Sequence, residues 1–168
     1  MRSVTELNEA SDDEAQASLL QCCGSVKWAR RMADERPFQD AHELMTTAGR
    51  VWLSLDEEDW LEAFSAHPKI GEKKATSNPT DSSRWAEEEQ SGAGRASEET
   101  HAALMKTNQD YEERFGYIFI VCATGKSAEE MLALLNKRIT NDSYSELRIA
   151  ADEQRRITQL RLEKLLST

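Results

Sequence analysis

The sequence has 168 residues, enough for one domain with a buried core, and its 39 % hydrophobic and 31 % charged composition is that of a globular chain with a well-charged surface. Its 31 acidic against 21 basic residues leave a net charge of −10. That field repels phosphate backbones and anionic lipid, so no nucleic acid and no membrane surface is expected as a partner.

In chain order the pattern is helical. Ser11-Asp12-Asp13-Glu14 is a capping box, and Ala15, Leu19, Leu20 and Cys23 follow at helical spacing. Gly24 ends that helix and Ser25 caps the next, which carries Val26, Trp28, Ala29 and Met32 as far as Arg36-Pro37. Asp40 and Glu43 offer a second box ahead of a stripe of Leu44, Ala48, Val51, Trp52 and Leu55. Ser54 or Asp56 then opens the helix of Trp60, Leu61 and Phe64. Residues 72–83 have the Lys, Ser, Thr, Asn, Pro and Asp composition of an exposed loop. A short polar helix is expected from Arg84 to about Ser91, and a longer one from Ser97 through Leu104, Asn108, Tyr111 and Phe115 to Gly116.

Residues 117–123, Tyr-Ile-Phe-Ile-Val-Cys-Ala, are the one stretch of strand-like composition. Such a short apolar run does not distinguish strand from buried helix, but with no second strand to pair with it reads as a buried extended segment. Ser127-Ala128-Glu129-Glu130 is a further box, opening a helix through Met131, Leu134, Leu135 and Ile139, and the last helix runs from about Ser145 to Leu166. Repeats and internal domain boundaries are absent. The expected class is all-α, a single compact multi-helix domain over 1–168 with one buried extended segment near 117–123.

Signals of address are negative. The acidic first twenty residues lack the apolar core of a secretory signal, no apolar run approaches a membrane span, and Leu166-Ser167-Thr168 is not a peroxisomal address. Cys22 and Cys23 are adjacent and Cys122 lies in an apolar run, so no disulfide framework forms. A reduced, cytoplasmic chain is the expectation.

Chemistry concentrates at Phe64-Ser65-Ala66-His67-Pro68-Lys69-Ile70-Gly71. Proline disfavours the α region for the residue before it, so His67 is pushed out of the helix that delivers it. Its imidazole titrates nearest neutrality of all side chains, which suits proton transfer; the plainer reading is a cap on the helix's last carbonyls. Gly125-Lys126-Ser127 imitates the end of a phosphate-binding loop, but the motif needs glycine where Ile120 stands. The scattered histidines and cysteines have no metal-binding spacing, so no metal is expected. Glu87-Glu88-Glu89-Gln90 reads as a solvated acidic face unless one carboxylate turns inward beside Trp85. On the last helix Leu147, Ala150, Ala151, Gln154, Ile157, Thr158 and Leu165 form an inward stripe that includes Arg161. A guanidinium on such a face either meets an anion and hydrogen-bonding partners or snorkels to the surface.

Taken together, the 64–71 stretch, Glu89-Gln90-Ser91, Phe115-Gly116 with 117–123, and Ile157-Thr158-Gln159-Leu160-Arg161-Leu162 resemble the OHCU decarboxylases over about residues 7–166. The resemblance implies an all-helical enzyme with no cofactor, usually a homodimer, that converts 2-oxo-4-hydroxy-4-carboxy-5-ureidoimidazoline to (S)-allantoin in urate degradation. It makes the histidine of the His-Pro motif, His67, the proton donor, with Glu89 and Arg161 beside it in the chemistry. It makes Pro68, Ala86, Glu87, Glu88, Glu89 and Gln90, and the backbone of Phe119, Ile120, Val121, Cys122 and Ala123, the pocket for a small anionic ureidoimidazoline. Glu89 would either fix the tautomer of His67 or hold the substrate hydroxyl. One position departs from the pattern: members commonly have Ser three residues before this glutamate, and Ala86 stands there. A non-catalytic helical interaction module is the alternative, and it predicts no deep pocket near His67.

Overall fold

The computed structural model describes residues 3–69, 81–91 and 97–167. Among them are nine helices and no strand: α1 (Val4–Glu9), α2 (Asp12–Cys22), α3 (Val26–Asp34), α4 (Ala41–Leu53), α5 (Glu57–Ser65), α6 (Asp81–Glu89), α7 (Glu98–Phe115), α8 (Ala128–Arg138) and α9 (Ser143–Ser167). The class is all-α, as expected.

Local chemistry sets most of the boundaries. Ser11 and Glu14 form a reciprocal capping box, as do Ser127 and Glu130, so two of the orphan N–H groups at each helix start are satisfied. Asp40 accepts from the Glu43 N–H at 2.9 Å, but the Glu43 carboxylate accepts from Gln39 rather than from the cap itself. Ser25 and Ser97 cap α3 and α7. Gly116 ends α7 at φ +81°, a left-handed conformation that costs glycine little, and its N–H donates to the Glu112 carbonyl at 2.8 Å. Helix α1 has no counterpart among the expected elements, although Ser3 caps it by accepting from the Glu6 N–H. Asp81–Ser83 belong to α6 rather than to the loop read over 72–83; the rest of that loop to Thr80 lies outside the described residues, as do Ile70 and Gly71.

The chain divides into two compact units. The first comprises residues 1–63 and 155–168. Its core is built on Leu7, Leu19, Trp28, Met32, Leu44 and Trp52, all essentially fully buried. Two indoles of this unit donate to carbonyls: Trp28 Nε1 to Ala48 at 3.2 Å and Trp60 Nε1 to Trp52 at 3.1 Å. Arg36 closes α1, donating to the carbonyls of Leu7 at 2.8 Å and Ala10 at 2.7 Å, where a cation also complements the helix dipole.

The second unit comprises residues 64–154. Leu104 and Tyr111 of α7 pack with Phe119, Val121 and Ala123 and with Ala128, Met131 and Leu135 of α8. Helix α9 contributes Glu146, Ala150, Ala151 and Gln154 to the buried part of this unit, and Ile157, Thr158, Arg161, Leu162 and Leu165 to that of the first. Leu147, read as the start of that stripe, is only half-buried; the fully buried residue at that turn is Glu146.

Candidate active site

Residues 117–123 carry neither helix nor strand, and Phe119, Ile120, Val121 and Ala123 are buried. Backbone polar groups in such a place need partners from elsewhere, and side chains provide three of them. The Ile120 carbonyl accepts from Arg138 Nη1 at 2.7 Å, the Cys122 N–H donates to the Glu153 carboxylate at 2.6 Å, and the Cys122 carbonyl accepts from Lys126 Nζ at 2.7 Å. Arg138 is itself held. It lies 4.6 Å over the Phe119 ring and pairs with Glu146, its Nε at 2.7 Å from Oε1 and Nη2 at 2.6 Å. The shorter approach of Nη2 is an ion pair without hydrogen-bond alignment. Tyr111 donates its hydroxyl to the same carboxylate at 2.5 Å and Asn141 Nδ2 donates at 2.9 Å. Burial first, then the bond to Glu146, hold the Tyr111 hydroxyl well above the ordinary phenol range.

These contacts also decide the phosphate-loop imitation. Lys126 turns back onto its own segment, its N–H donating to the Ala123 carbonyl at 3.0 Å and its ammonium to Cys122, while Ser127 caps α8. The stretch is a turn and a helix start.

His67 follows the last turn of α5. Its N–H donates to the Phe64 carbonyl at 3.2 Å, so the backbone continues the cap, while the half-buried ring reaches α9. There Nε2 meets Oε1 of the fully buried Gln154 at 2.6 Å. Pro68 is half-buried beside it, and Lys69 makes a surface ion pair with Glu112 at 2.6 Å. On α6 the spacing separates the three glutamates: Trp85, Ala86 and Glu89 are buried, Glu87 and Glu88 are exposed and Gln90 is half-buried. The Cys122 thiol senses this neighbourhood. Burial raises its pKa, Lys126 lowers it, and the carboxylates of Glu153 and Glu89 push it up again. Within the second unit, therefore, Glu89 and the 117–123 segment lie in electrostatic reach of one another.

Arg161 belongs to the first unit and is 5 % exposed. It lies near Cys22 and Cys23, whose thiols burial pushes from the usual 9.0 up to about 12 and about 11. The guanidinium opposes both rises without cancelling them, and a hydrogen bond from Thr158 further restrains Cys23.

Glu153, Gln154, Arg138, Glu146 and Tyr111 had no site role in the sequence reading. The available signal was polarity on an apolar stripe: Glu146 and Gln154 share the helical face of Ala150, Ala151 and Ile157. Among the described residues no group of three or more His, Cys, Asp or Glu is placed to hold a metal ion, and no helix is long and apolar enough to cross a membrane.

Comparison with known proteins places this arrangement. The family model described as OHCU decarboxylase matches residues 8–163. The uric acid degradation bifunctional protein TTL of Arabidopsis thaliana is 42 % identical over 148 residues, covering 87 % of this chain and 45 % of that protein. The chain thus spans less than half of that relative. The 2-oxo-4-hydroxy-4-carboxy-5-ureidoimidazoline decarboxylase of Haloferax volcanii is 26 % identical over 99 % of this chain and 97 % of its own length. Among solved structures, an OHCU decarboxylase crystallised in the presence of (S)-allantoin superposes with a TM-score of 0.78 at 37 % identity, covering 95 % of this chain and all of that one. With a family match that runs almost from end to end, the chain belongs to the OHCU decarboxylases, a family of carboxy-lyases.

Proposed function

We propose that this chain decarboxylates 2-oxo-4-hydroxy-4-carboxy-5-ureidoimidazoline and delivers (S)-allantoin, acting in urate degradation without a cofactor. The observation that carries the reading is the family match over residues 8–163, on which the quoted motifs of His67, Glu89 and Arg161 all fall.

The chemistry sets three demands. Breaking the bond between ring carbon 4 and its carboxylate releases CO₂ and leaves an electron pair, which moves into the bond to carbon 5 while the π pair of the carbon 5–nitrogen double bond moves onto the ring nitrogen, which takes up a proton. The 4-hydroxyl then releases its proton as it becomes the ring carbonyl, and the pair between carbons 4 and 5 takes a proton at carbon 5 on one face, which makes it the stereocentre of allantoin. His67 is the proton donor, held out of its helix by Pro68 and anchored through Nε2. The N–H groups of Ile120, Val121 and Ala123 engage no described residue, and they supply fixed dipoles for the charge that spreads over the ring oxygen and nitrogen. The Cys122 N–H is committed to Glu153 and is left out of that role. Glu89 is the inward carboxylate of α6 and holds the substrate hydroxyl or the His67 tautomer, while Pro68, Ala86 and Gln90 shape the pocket. Arg161 supplies the positive charge that a protein of net charge −10 needs to hold an anion. With Ala86 in place of serine, one hydrogen bond to substrate is either missing or made by another group.

The deciding experiment follows freshly generated substrate by circular dichroism. Enzymatic product is (S)-allantoin, and a racemic product formed at the spontaneous rate refutes the assignment.

The whole 1–168 chain is read as one decarboxylase domain, which forms a homodimer in the cytoplasm. A sedimenting species at twice the 19.0 kDa chain mass checks the dimer. The three free thiols fit a reducing compartment.

A further inference from the structure

We infer that Gln154 is a positioning residue for the reaction: it fixes His67 in the tautomer that keeps a proton on Nε2, so that Nδ1 is the nitrogen whose proton count changes during turnover. The inference rests on the proposed role of His67 as proton donor, but its first observable does not depend on activity.

A glutamine oxygen only accepts, so an imidazole nitrogen 2.6 Å from Gln154 Oε1 must carry hydrogen. Gln154 is fully buried, and a buried amide held on a rigid helix cannot exchange its acceptor for water. It comes from the middle of the 25-residue α9, in a turn whose neighbours Ala150 and Ala151 are also buried, so its rotamer is set by packing. A neutral imidazole has one N–H. Committing it to Nε2 leaves the lone pair on Nδ1, which gains a proton when the ring becomes cationic and gives one up when it acts as an acid. The amide is uncharged, so it orients the ring without holding it as a permanent cation, unlike a carboxylate in the same place.

The adjacent residue strengthens the assignment. Glu153 binds the Cys122 N–H at 2.6 Å, so consecutive positions of one helix set both the 117–123 segment and the ring of His67. The imidazole and the backbone donors are therefore registered against the same rigid element, which is what proton delivery to one face of a planar intermediate requires.

The test uses the full chain with ¹⁵N-labelled histidine. Two-bond proton–nitrogen spectra of the wild type should show His67 as the Nε2–H tautomer when neutral, with Nδ1 titrating. A neutral Nδ1–H form would overturn the inference whether or not the enzyme turns over. Gln154→Met keeps the volume but removes the acceptor; the tautomer should become mixed and kcat should fall about 10–100-fold, the scale of losing a residue that orients a histidine, with KM within about threefold. Gln154→Glu keeps the accepting oxygen and should keep the Nε2–H form. Wild-type kcat in a folded Gln154→Met variant, or an unchanged tautomer there, overturns the inference. If Gln154→Met does not fold, the wild-type and Gln154→Glu spectra still decide it. Absence of decarboxylation in the wild type counts against the proposed function alone, because the tautomer is read independently.

Discussion

In the proposed reaction His67 is the proton donor, and its two possible meanings separate cleanly under mutation. A histidine that only caps a helix contributes to stability, whereas one that moves a proton contributes to rate. His67→Ala should therefore lose about 10²–10⁴-fold in stereospecific turnover, the usual contribution of general acid–base groups, with an unchanged helical circular dichroism signal. A folded variant within a few-fold of wild type would make His67 structural. Glu89 and Glu87 sit two positions apart on α6 and face opposite ways, one 8 % exposed and the other on the surface. Glu89→Gln should reduce kcat/KM by at least about tenfold, within the range for such groups, and Glu87→Gln should leave it alone; equal losses would contradict the orientation. For Arg161 the informative change is to lysine, which keeps the charge but not the planar fork. Binding of a substrate analogue should weaken by about 1.5–3 kcal/mol, the scale of hydrogen bonds to charged groups, with little loss of thermal stability. A variant that binds normally removes Arg161 from the site, and one that unfolds makes its partner part of the core.

At the scale of elements, the 117–123 segment is held by α8 and α9 through Arg138, Glu146 and Glu153. Arg138 is 6 % exposed and Glu146 fully buried, so each charge relies on the other. Removing one partner of such a pair typically costs about 3–5 kcal/mol because the remaining charge is left uncompensated. Arg138→Leu would leave the Glu146 carboxylate without its counter-ion, with only Tyr111 and Asn141 donating to it, and would free the Ile120 carbonyl as well. For a chain of this length that corresponds to a melting temperature lower by about 6–20 °C, and scanning calorimetry reads it. A shift under about 2 °C, the equivalent of roughly half a kcal/mol, would show that the network contributes little to stability.

At the scale of the whole molecule, pH is the informative variable. Cys22 and Cys23 keep their protons in the folded chain up to about 12 and about 11, against 9.0 for an ordinary thiol. Between those limits the folded state binds more protons than the unfolded one, so stability must fall as pH rises. The thiol contribution is complete below about pH 9 and is lost as pH climbs through 11 and 12. Tyr111 shifts in the same direction and adds to the fall. Urea midpoints at pH 8, 10 and 11 should decline, and a Cys22→Ala, Cys23→Ala double variant should decline less steeply. Equal slopes for the two proteins would show that the thiols are not coupled to folding.

The all-α class, the Ser11 and Ser127 boxes, the Ser25, Asp40 and Ser97 caps and the Gly116 stop were legible in the sequence, because capping and amphipathic spacing act over three or four residues of chain. Helix α1 carried the same kind of signal in Ser3 and Glu6, but it is a helix of six residues, too short to show an apolar stripe. The family-bearing residues His67, Glu89 and Arg161 were legible through their motifs; helical offset set Glu89 and Glu87 on different sides of α6, and burial shows that Glu89 is the one turned inward. What the sequence left undetermined was every pairing between distant side chains. Gln154 stands 87 positions from His67, Glu146 stands 35 from Tyr111, and Glu153 stands 31 from Cys122. Helical periodicity places Glu146 and Gln154 on a buried face, but it fixes no partner, since the partner comes from another element brought there by packing. A buried polar group must be satisfied somewhere; only the tertiary structure decided that Glu146 answers Arg138 and Tyr111, and that Gln154 answers the histidine.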